Sequence, residues 1–224
     1  MMRFVVTAGP TREHIDPVRF LSNPSTGRMG FAVASAARSA GYGVSLIAGP
    51  VSLKTPKGVE RIDVVSARDM LEAVVKELKR ALADEGARVV LVMTAAVADW
   101  RPAECASLKL KKTQMASTLK LVRNPDILKT LGSRFHEPNL LKIGFAAETG
   151  EPTAEAARKC REKGLAMVVA NDVTEPGAGF GVKTNRVSLV FPEGRVEKLP
   201  LMPKASVARR IIQEVKKLNL QCAR

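Results

Sequence analysis

The sequence predicts an α/β fold, a doubly wound, mostly parallel Rossmann-like sheet with helices on both faces. Three observations carry that expectation. Short apolar runs of strand length alternate with longer stretches whose apolar residues recur at helical spacing. Gly and Pro punctuate most junctions between them. The first apolar run, Phe4-Val5-Val6, leads through a long loop to a small-residue helix that starts among Ser, Thr and Gly. Unpaired N–H groups and the positive end of a helix dipole make such a start a ready anion site.

Taken in order, Phe4 to Ala8 reads as a strand and about Thr26 to Ala40 as a helix. Gly41-Tyr42-Gly43 turns into a second strand, Val44 to Ala48, and a loop broken by Gly49, Pro50, Pro56 and Gly58 precedes a third, Val59 to Val65. Ser66-Ala67-Arg68-Asp69 has the form of a helix cap, and Met70, Leu71, Val74, Val75, Leu78 and Leu82 follow at helical spacing. Val89 to Met93 is a strand of the buried type.

From Thr94 to Val122 the rhythm fails. This basic, weakly periodic segment predicts an extended loop, with a flap over about 101–122 and a strand at Thr118 to Val122. Asn124 is expected to cap the next helix, with Pro125 at its first position. A strand at Leu140 to Ala146, a helix at Thr153 to Lys163 and a strand at Leu165 to Ala170 continue the alternation. A C-terminal β-hairpin follows, Arg186 to Phe191 and Arg195 to Leu199, turning at Pro192-Glu193-Gly194, and a last amphipathic helix begins near Lys204. Neither a linker nor a repeat interrupts the chain, so residues 1–224 are expected to form a single domain. Its ligand should lie beyond the carboxyl ends of the strands.

The charge is strongly positive, with 36 basic against 22 acidic residues and a formal net charge of +14. That balance admits nucleic acid or polyphosphate ligands. Few aromatic residues interleave with the basic ones, which favours phosphorylated small molecules over a nucleic-acid track. Cys105, Cys160 and Cys222 are widely spaced, and His14 and His136 are the only histidines. Neither a disulfide framework nor a Cys/His metal site fits that pattern. No apolar run is long enough to span a bilayer, so a cytoplasmic location is expected.

Several segments hold residues suited to chemistry. Arg12, Arg19 and Arg28 flank the first loop and offer guanidinium forks for phosphate or carboxylate. Asn23 stands before Pro24, where it reads as a turn residue or as an amide donor to a developing oxyanion. Lys109, Lys111 and Lys112 alternate with or follow leucines, as an outward-facing edge does, and are equally able to neutralise a polyphosphate. A Gly-x-Gly-x-x-Gly run is missing after the first strand, which weakens the case for a nicotinamide cofactor.

The run SNPSTGRMGFA, with TAGPTRE and DPVRF before it, resembles the opening of the phosphopantothenoylcysteine synthetase family. Ala95 to Pro102, Asn124 to Ile127, Gly144 to Thr149 and Ala170-Asn171-Asp172 resemble the same family in the same order, so the likeness spans nearly the whole chain. In bifunctional bacterial relatives this activity follows a flavin-dependent decarboxylase, whereas here the first strand begins within a few residues of Met1 and no such domain is expected. A stand-alone ligase or a detached half is therefore expected, without FMN, with a separate decarboxylase as a partner.

The resemblance implies a ligase that joins 4′-phosphopantothenate to L-cysteine through an acyl-nucleotidylate. The motifs look more like the CTP-using branch than the ATP-using one, with Mg²⁺ accompanying CTP and no ligands assigned to the metal. Asn23 and Lys109 correspond to the family's catalytic residues. Met93, Thr94, Ala95, Asp99, Lys109, Asn124, Pro125, Asp126, Ile127, Phe145, Lys159 and Lys163 match positions that bind the nucleotide. Arg19, Asn23, Ser25, Thr26, Gly27 and Ala96 are expected at the phosphopantothenate end. A homodimer with active sites near the subunit interface is a further family feature. The alternatives are a nucleotide-binding oxidoreductase on a similar sheet and a basic nucleic-acid-binding protein.

Overall fold

The computed structural model describes residues 2–84, 86–111 and 118–221. In chain order the elements are β1 (Met2–Ala8), β2 (Arg12–His14), β3 (Phe20–Ser22), α1 (Arg28–Ser39), β4 (Gly43–Ala48), β5 (Glu60–Asp63) and α2 (Ala67–Leu82). Next come β6 (Arg88–Met93), β7 (Trp100–Pro102), β8 (Leu121–Arg123), α3 (Ile127–Gly132), β9 (Leu140–Glu148) and α4 (Thr153–Glu162). The chain continues with β10 (Met167–Asp172), β11 (Thr184–Asn185), β12 (Ser188–Val190), β13 (Val196–Lys198), β14 (Met202–Pro203) and α5 (Lys204–Gln221).

The main sheet has eight strands in the order β13-β12-β10-β9-β6-β1-β4-β5. The strands from β10 to β5 are parallel, and β12 and β13 add the expected hairpin, β12 antiparallel to β10 and β13 antiparallel to β12. Numbered by chain order, the parallel strands run 3-2-1-4-5-6, the doubly wound order whose direction of growth reverses between β1 and β6.

Alternating side chains send each strand's apolar residues to opposite faces. Phe4, Val6, Val90, Val92 and Ile143 pack under α1 and α5, against residues such as Val33, Ala34, Val207 and Ile211. Val5, Val89 and Leu91 meet Met70, Val74 and Leu78 of α2 and Leu131 of α3 on the other face. There α4 also packs Ala156 and Cys160 on Val168, Ala170 and Val190. Both faces are buried, which is why the strands read as continuous apolar runs.

The long loops contain structure that local sequence does not announce. Arg12–His14 pairs with Phe20–Ser22, and Trp100–Pro102 pairs with Leu121–Arg123. The segment expected as an extended loop therefore begins and ends in an antiparallel pair, and the strand expected at Thr118 to Val122 is shifted to Leu121–Arg123. Lys112 and Cys222 lie outside the described residues.

One cap also differs from expectation. Asp126, not Asn124, caps α3, its side chain accepting from Lys129 N at 3.0 Å. Asn124 is drawn instead to β6's exit segment, its Nδ2 donating to Ala98 O at 2.8 Å and its N–H to Asp99 O at 2.8 Å.

Candidate active site

A cavity of about 410 Å³ opens beyond the carboxyl ends of β1, β6, β9 and β10, over the point where the strand order reverses. Its floor is made where α1 begins. Gly27 enters that helix with φ 76°, a left-handed conformation that glycine adopts without strain. No side chain caps α1, and its first turn holds no acidic residue. Among the described residues no side chain accepts from this helix end's orphan N–H groups, and Arg28, Met29 and Gly30, which carry them, line the cavity.

Gly30 lets α1 sit this close to the sheet. A Cβ there would lie 2.4 Å from Thr94 Oγ1, 2.5 Å from Ala8 Cβ and 2.8 Å from Thr7 O. Residues 94–98 leave β6 and are pinned to residues 9–11, with Ala96 N donating to Gly9 O at 2.9 Å and Ala98 N to Thr11 Oγ1 at 3.0 Å. Asn23 joins the two walls, its Nδ2 donating to Ala96 O at 3.1 Å and to Val97 O at 3.3 Å. The amide expected to meet an oxyanion thus also fixes the backbone of the opposite wall.

The cavity gathers many of the residues singled out from the sequence. Asn23, Ser25, Thr26 and Gly27 line it beside Thr94, Ala95, Ala96 and Asp99, with Phe145 and Lys159 on the far side. Lys159 enters paired with Glu148, its Nζ 2.6 Å from Oε1. Among the described residues, Asp99 is the one carboxylate in the lining.

Other predicted residues stand apart from it. Met93 is buried and accepts a weak hydrogen bond from Thr7 Oγ1 at its sulfur. Ile127 is core under α2, and neither Asn124 nor Pro125 lines the cavity. Asp126 pairs with Lys163 at 2.8 Å; burial pushes its carboxyl pKa up, but the Lys163 contact, the Lys129 N–H and the two lysine charges together hold it below the ordinary value. Arg19 is engaged by Asp16, which is fully enclosed, and donates to Leu110 O at 3.1 Å. The Arg19 guanidinium and the N–H groups of Val18, Arg19 and Leu110 hold the Asp16 carboxyl well below the usual carboxylate range. Lys109 is exposed beside this cluster and outside the cavity of its own chain.

The structure adds residues that the sequence reading had not placed in the site. Gly179, Phe180, Asn185 and Lys204 are among them, while Arg28 and Asn171, which the sequence had already marked, line the cavity too. Asn185 is 4% exposed and its Oδ1 has no hydrogen-bond partner among the described residues. Lys204, 7% exposed, donates from Nζ to Gly179 O at 2.8 Å and Val182 O at 2.7 Å. Burial, then the neighbouring Arg28 charge, push its pKa below that of an ordinary lysine. The glycine spacing Gly177-x-Gly179-x-Gly181 was the signal for this wall, since all three have positive φ.

A doubly wound sheet with an uncapped, cation-flanked helix start at its switch point defines a nucleotide- or phosphate-binding α/β domain. The particular family follows from comparison. The family model described as the DNA/pantothenate metabolism flavoprotein C-terminal domain matches residues 1–218, and the chain belongs to that family. This domain is the phosphopantothenoylcysteine synthetase part of such proteins, as the sequence motifs suggested.

The chain is 48% identical over 218 residues to the coenzyme A biosynthesis bifunctional protein CoaBC of Bacillus subtilis (strain 168), covering 97% of this chain and 52% of that protein. For the CoaBC protein of Escherichia coli (strain K12) the identity is 39%, covering 96% and 51%. The chain thus spans about half the length of the curated relatives it matches. A crystal structure of the C-terminal domain of CoaBC superposes with a TM-score of 0.79 at 42% identity, covering 98% of both chains. The DNA/pantothenate metabolism flavoprotein from Streptococcus pneumoniae shares the fold, with a TM-score of 0.78 at 22% identity over 97% of this chain and 99% of that one.

Proposed function

We propose that this chain is a phosphopantothenate–cysteine ligase acting in coenzyme A biosynthesis. The carrying observation is the convergence of Asn23, the open start of α1 and Lys159 on one cavity, in a chain of this family. A carboxylate and a free amine do not condense in neutral water without activation. In the proposed reaction a carboxylate oxygen of 4′-phosphopantothenate attacks the α-phosphorus of CTP and expels pyrophosphate. The cysteine amine then attacks the acyl carbon, CMP leaves with the bonding electrons, and the amine proton passes to solvent.

The cavity supports this scheme residue by residue. The N–H groups at the start of α1, with Ser25 and Thr26, suit a phosphate or carboxylate. Asp99 suits ribose or base contact, and Phe145 offers a ring for stacking. Asn23 supplies amide protons for the oxyanion of the second step, once they exchange the Ala96 and Val97 carbonyls for the reacting carbonyl. Among the described residues no cluster of three or more His, Cys, Asp or Glu could hold a metal. A lone Asp99 fits Mg²⁺ entering with the triphosphate, held largely by phosphate oxygens and water, where it would neutralise charge on the leaving group.

Lys109 and Arg19 remain to be brought to the chemistry. They sit with the small sheets β2–β3 and β7–β8, where Val18, Phe20, Trp100, Leu119 and Leu121 are exposed. An apolar face of that kind supports a homodimer whose second copy packs there, with Lys109 serving the nucleotide-transfer step at the subunit boundary. Neither alternative, oxidoreductase or nucleic-acid binder, is favoured by the family.

The test is CMP formation from CTP with purified protein, Mg²⁺ and 4′-phosphopantothenate, with and without L-cysteine. Turnover requiring both acceptors is expected. Consumption of ATP without CMP from CTP would move the chain to the ATP-using branch, and silence with both nucleotides would overturn the ligase.

A further inference from the structure

Behind the α1 start lies a second cavity of about 270 Å³, lined by Arg28, Phe31, Leu53, Lys54, Lys183 and Lys204 together with Pro56. Four of these side chains are cationic and none is acidic. None of the four has a carboxylate partner among the described residues. Arg28 and Lys204 line this cavity and the main one alike, so the two spaces meet at a pair of cations. Two positive groups held together without an acid repel one another, and a polyanion between them relieves that repulsion.

The walls are built rather than incidental. Lys204 is anchored by the carbonyls of Gly179 and Val182, so its charge cannot swing out to solvent without leaving a 7% exposed site. Arg61 sits with its guanidinium carbon 5.4 Å from the Phe31 ring centroid. It also donates to Leu53 O at 2.8 Å and Val51 O at 3.4 Å, which fixes the strand of chain that carries Lys54. Lys183 is placed at the rim by the Lys204 N to Lys183 O bond of 3.0 Å.

We propose that this second cavity is a polyphosphate site that takes the pyrophosphate leaving the main cavity. The proposal rests on the ligase reading for the source of pyrophosphate, but not for the site itself. Arg28 and Lys204 would pass the anion across, and Lys54 and Lys183 would hold it at the exit. Because Lys54 and Lys183 line only the second cavity, they separate its ligand from the nucleotide's own triphosphate.

The experiment titrates the full chain with inorganic pyrophosphate, and separately with CTP in the absence of acceptor, by calorimetry at fixed salt. A Lys54→Ala/Lys183→Ala double variant removes two exposed lysines and should fold normally. Lys76→Ala/Lys79→Ala, equal in charge change and exposed on α2, controls for the general field. Pyrophosphate affinity is expected to fall tenfold or more in the first variant and stay within twofold in the second, while CTP affinity is kept in both. Equal loss in both variants would reduce the effect to net charge, and equal loss of pyrophosphate and CTP would assign these lysines to the nucleotide; either overturns the proposal. So would pyrophosphate binding that ignores Lys54 and Lys183, or none in the unaltered chain. Failure of the ligase reading shows elsewhere, as absent CMP, and leaves the pyrophosphate titration intact.

Discussion

Helices α1 and α2 begin at the same edge of the same sheet, yet their first turns are finished in opposite ways. At α2 the protein satisfies itself: Ser66 Oγ accepts from Asp69 N at 3.2 Å and Asp69 Oδ2 accepts from Ser66 N at 2.8 Å. Buried Glu13 then takes the Ala67 N–H at 2.9 Å. At α1 a left-handed glycine replaces the capping side chain, no acid follows, and Arg28 and Lys204 add positive charge nearby. Helix ends carry the same orphan donors everywhere. Where the chain declines to satisfy them and opens a cavity instead, the acceptor is meant to arrive from outside.

The largest test of that contrast is Asn23→Ala. CMP formation should fall by about a hundred- to a thousandfold, the usual loss for one oxyanion donor. Asn23→Asp should fare no better, because a carboxylate would face the Ala96 and Val97 carbonyls and the developing negative charge. Ser66→Ala should leave turnover intact. Full activity in Asn23→Ala would show that the chemistry does not occur at the α1 start. Next in size is Gly30→Ala. Its methyl would collide with Thr94, Ala8 and Thr7, and overpacking of that kind costs roughly 1–3 kcal/mol by denaturant titration. An unchanged midpoint would mean that α1 can lift from the sheet and that the cavity floor is not rigid.

The same contrast explains what could be read in advance. The α2 cap is a local pattern, Ser66 and Asp69 three residues apart before an apolar helix, so its start was legible. The strands were legible because double burial makes them uniformly apolar. Asn124 was misread as a cap because its partners, Ala98 and Asp99, lie far back in the chain, while Asp126 could reach Lys129 locally. The pairs β2–β3 and β7–β8 have strands of three residues, too short for any period to show. Of the site, the residues adjacent to strand ends were readable from motifs. Asn185 and Lys204 were not, because Asn185 comes in through the β11–β14 pair and Lys204 at the start of α5, which is held over α1 by packing of apolar residues such as Val207 and Ile211.

A smaller effect belongs to the closed helix start. Ser66→Ala removes one half of the capping box and should cost about 1 kcal/mol of stability, with CTP affinity unchanged. A parallel drop in CTP affinity would mean that α2 and the cavity are coupled, and the two helix starts would no longer be separable in function.

The smallest effect is the most direct probe of why α1 was left open. Thr26→Asp places a carboxylate beside the uncapped N–H groups, where an acid is worth about 0.3–1 kcal/mol. Folding stability should rise by that amount. The same charge opposes the incoming phosphate, so 4′-phosphopantothenate affinity should fall by about two- to fivefold, the equivalent of that energy. Stability and affinity therefore move in opposite directions at α1, and both changes should shrink as salt screens the charge. At α2 the reverse experiment, Asp69→Asn, should lower stability and leave CTP binding alone. If Thr26→Asp gained stability with no loss of affinity, the anion would not sit on the α1 dipole. The missing cap would then be a tolerated defect rather than an occupied position.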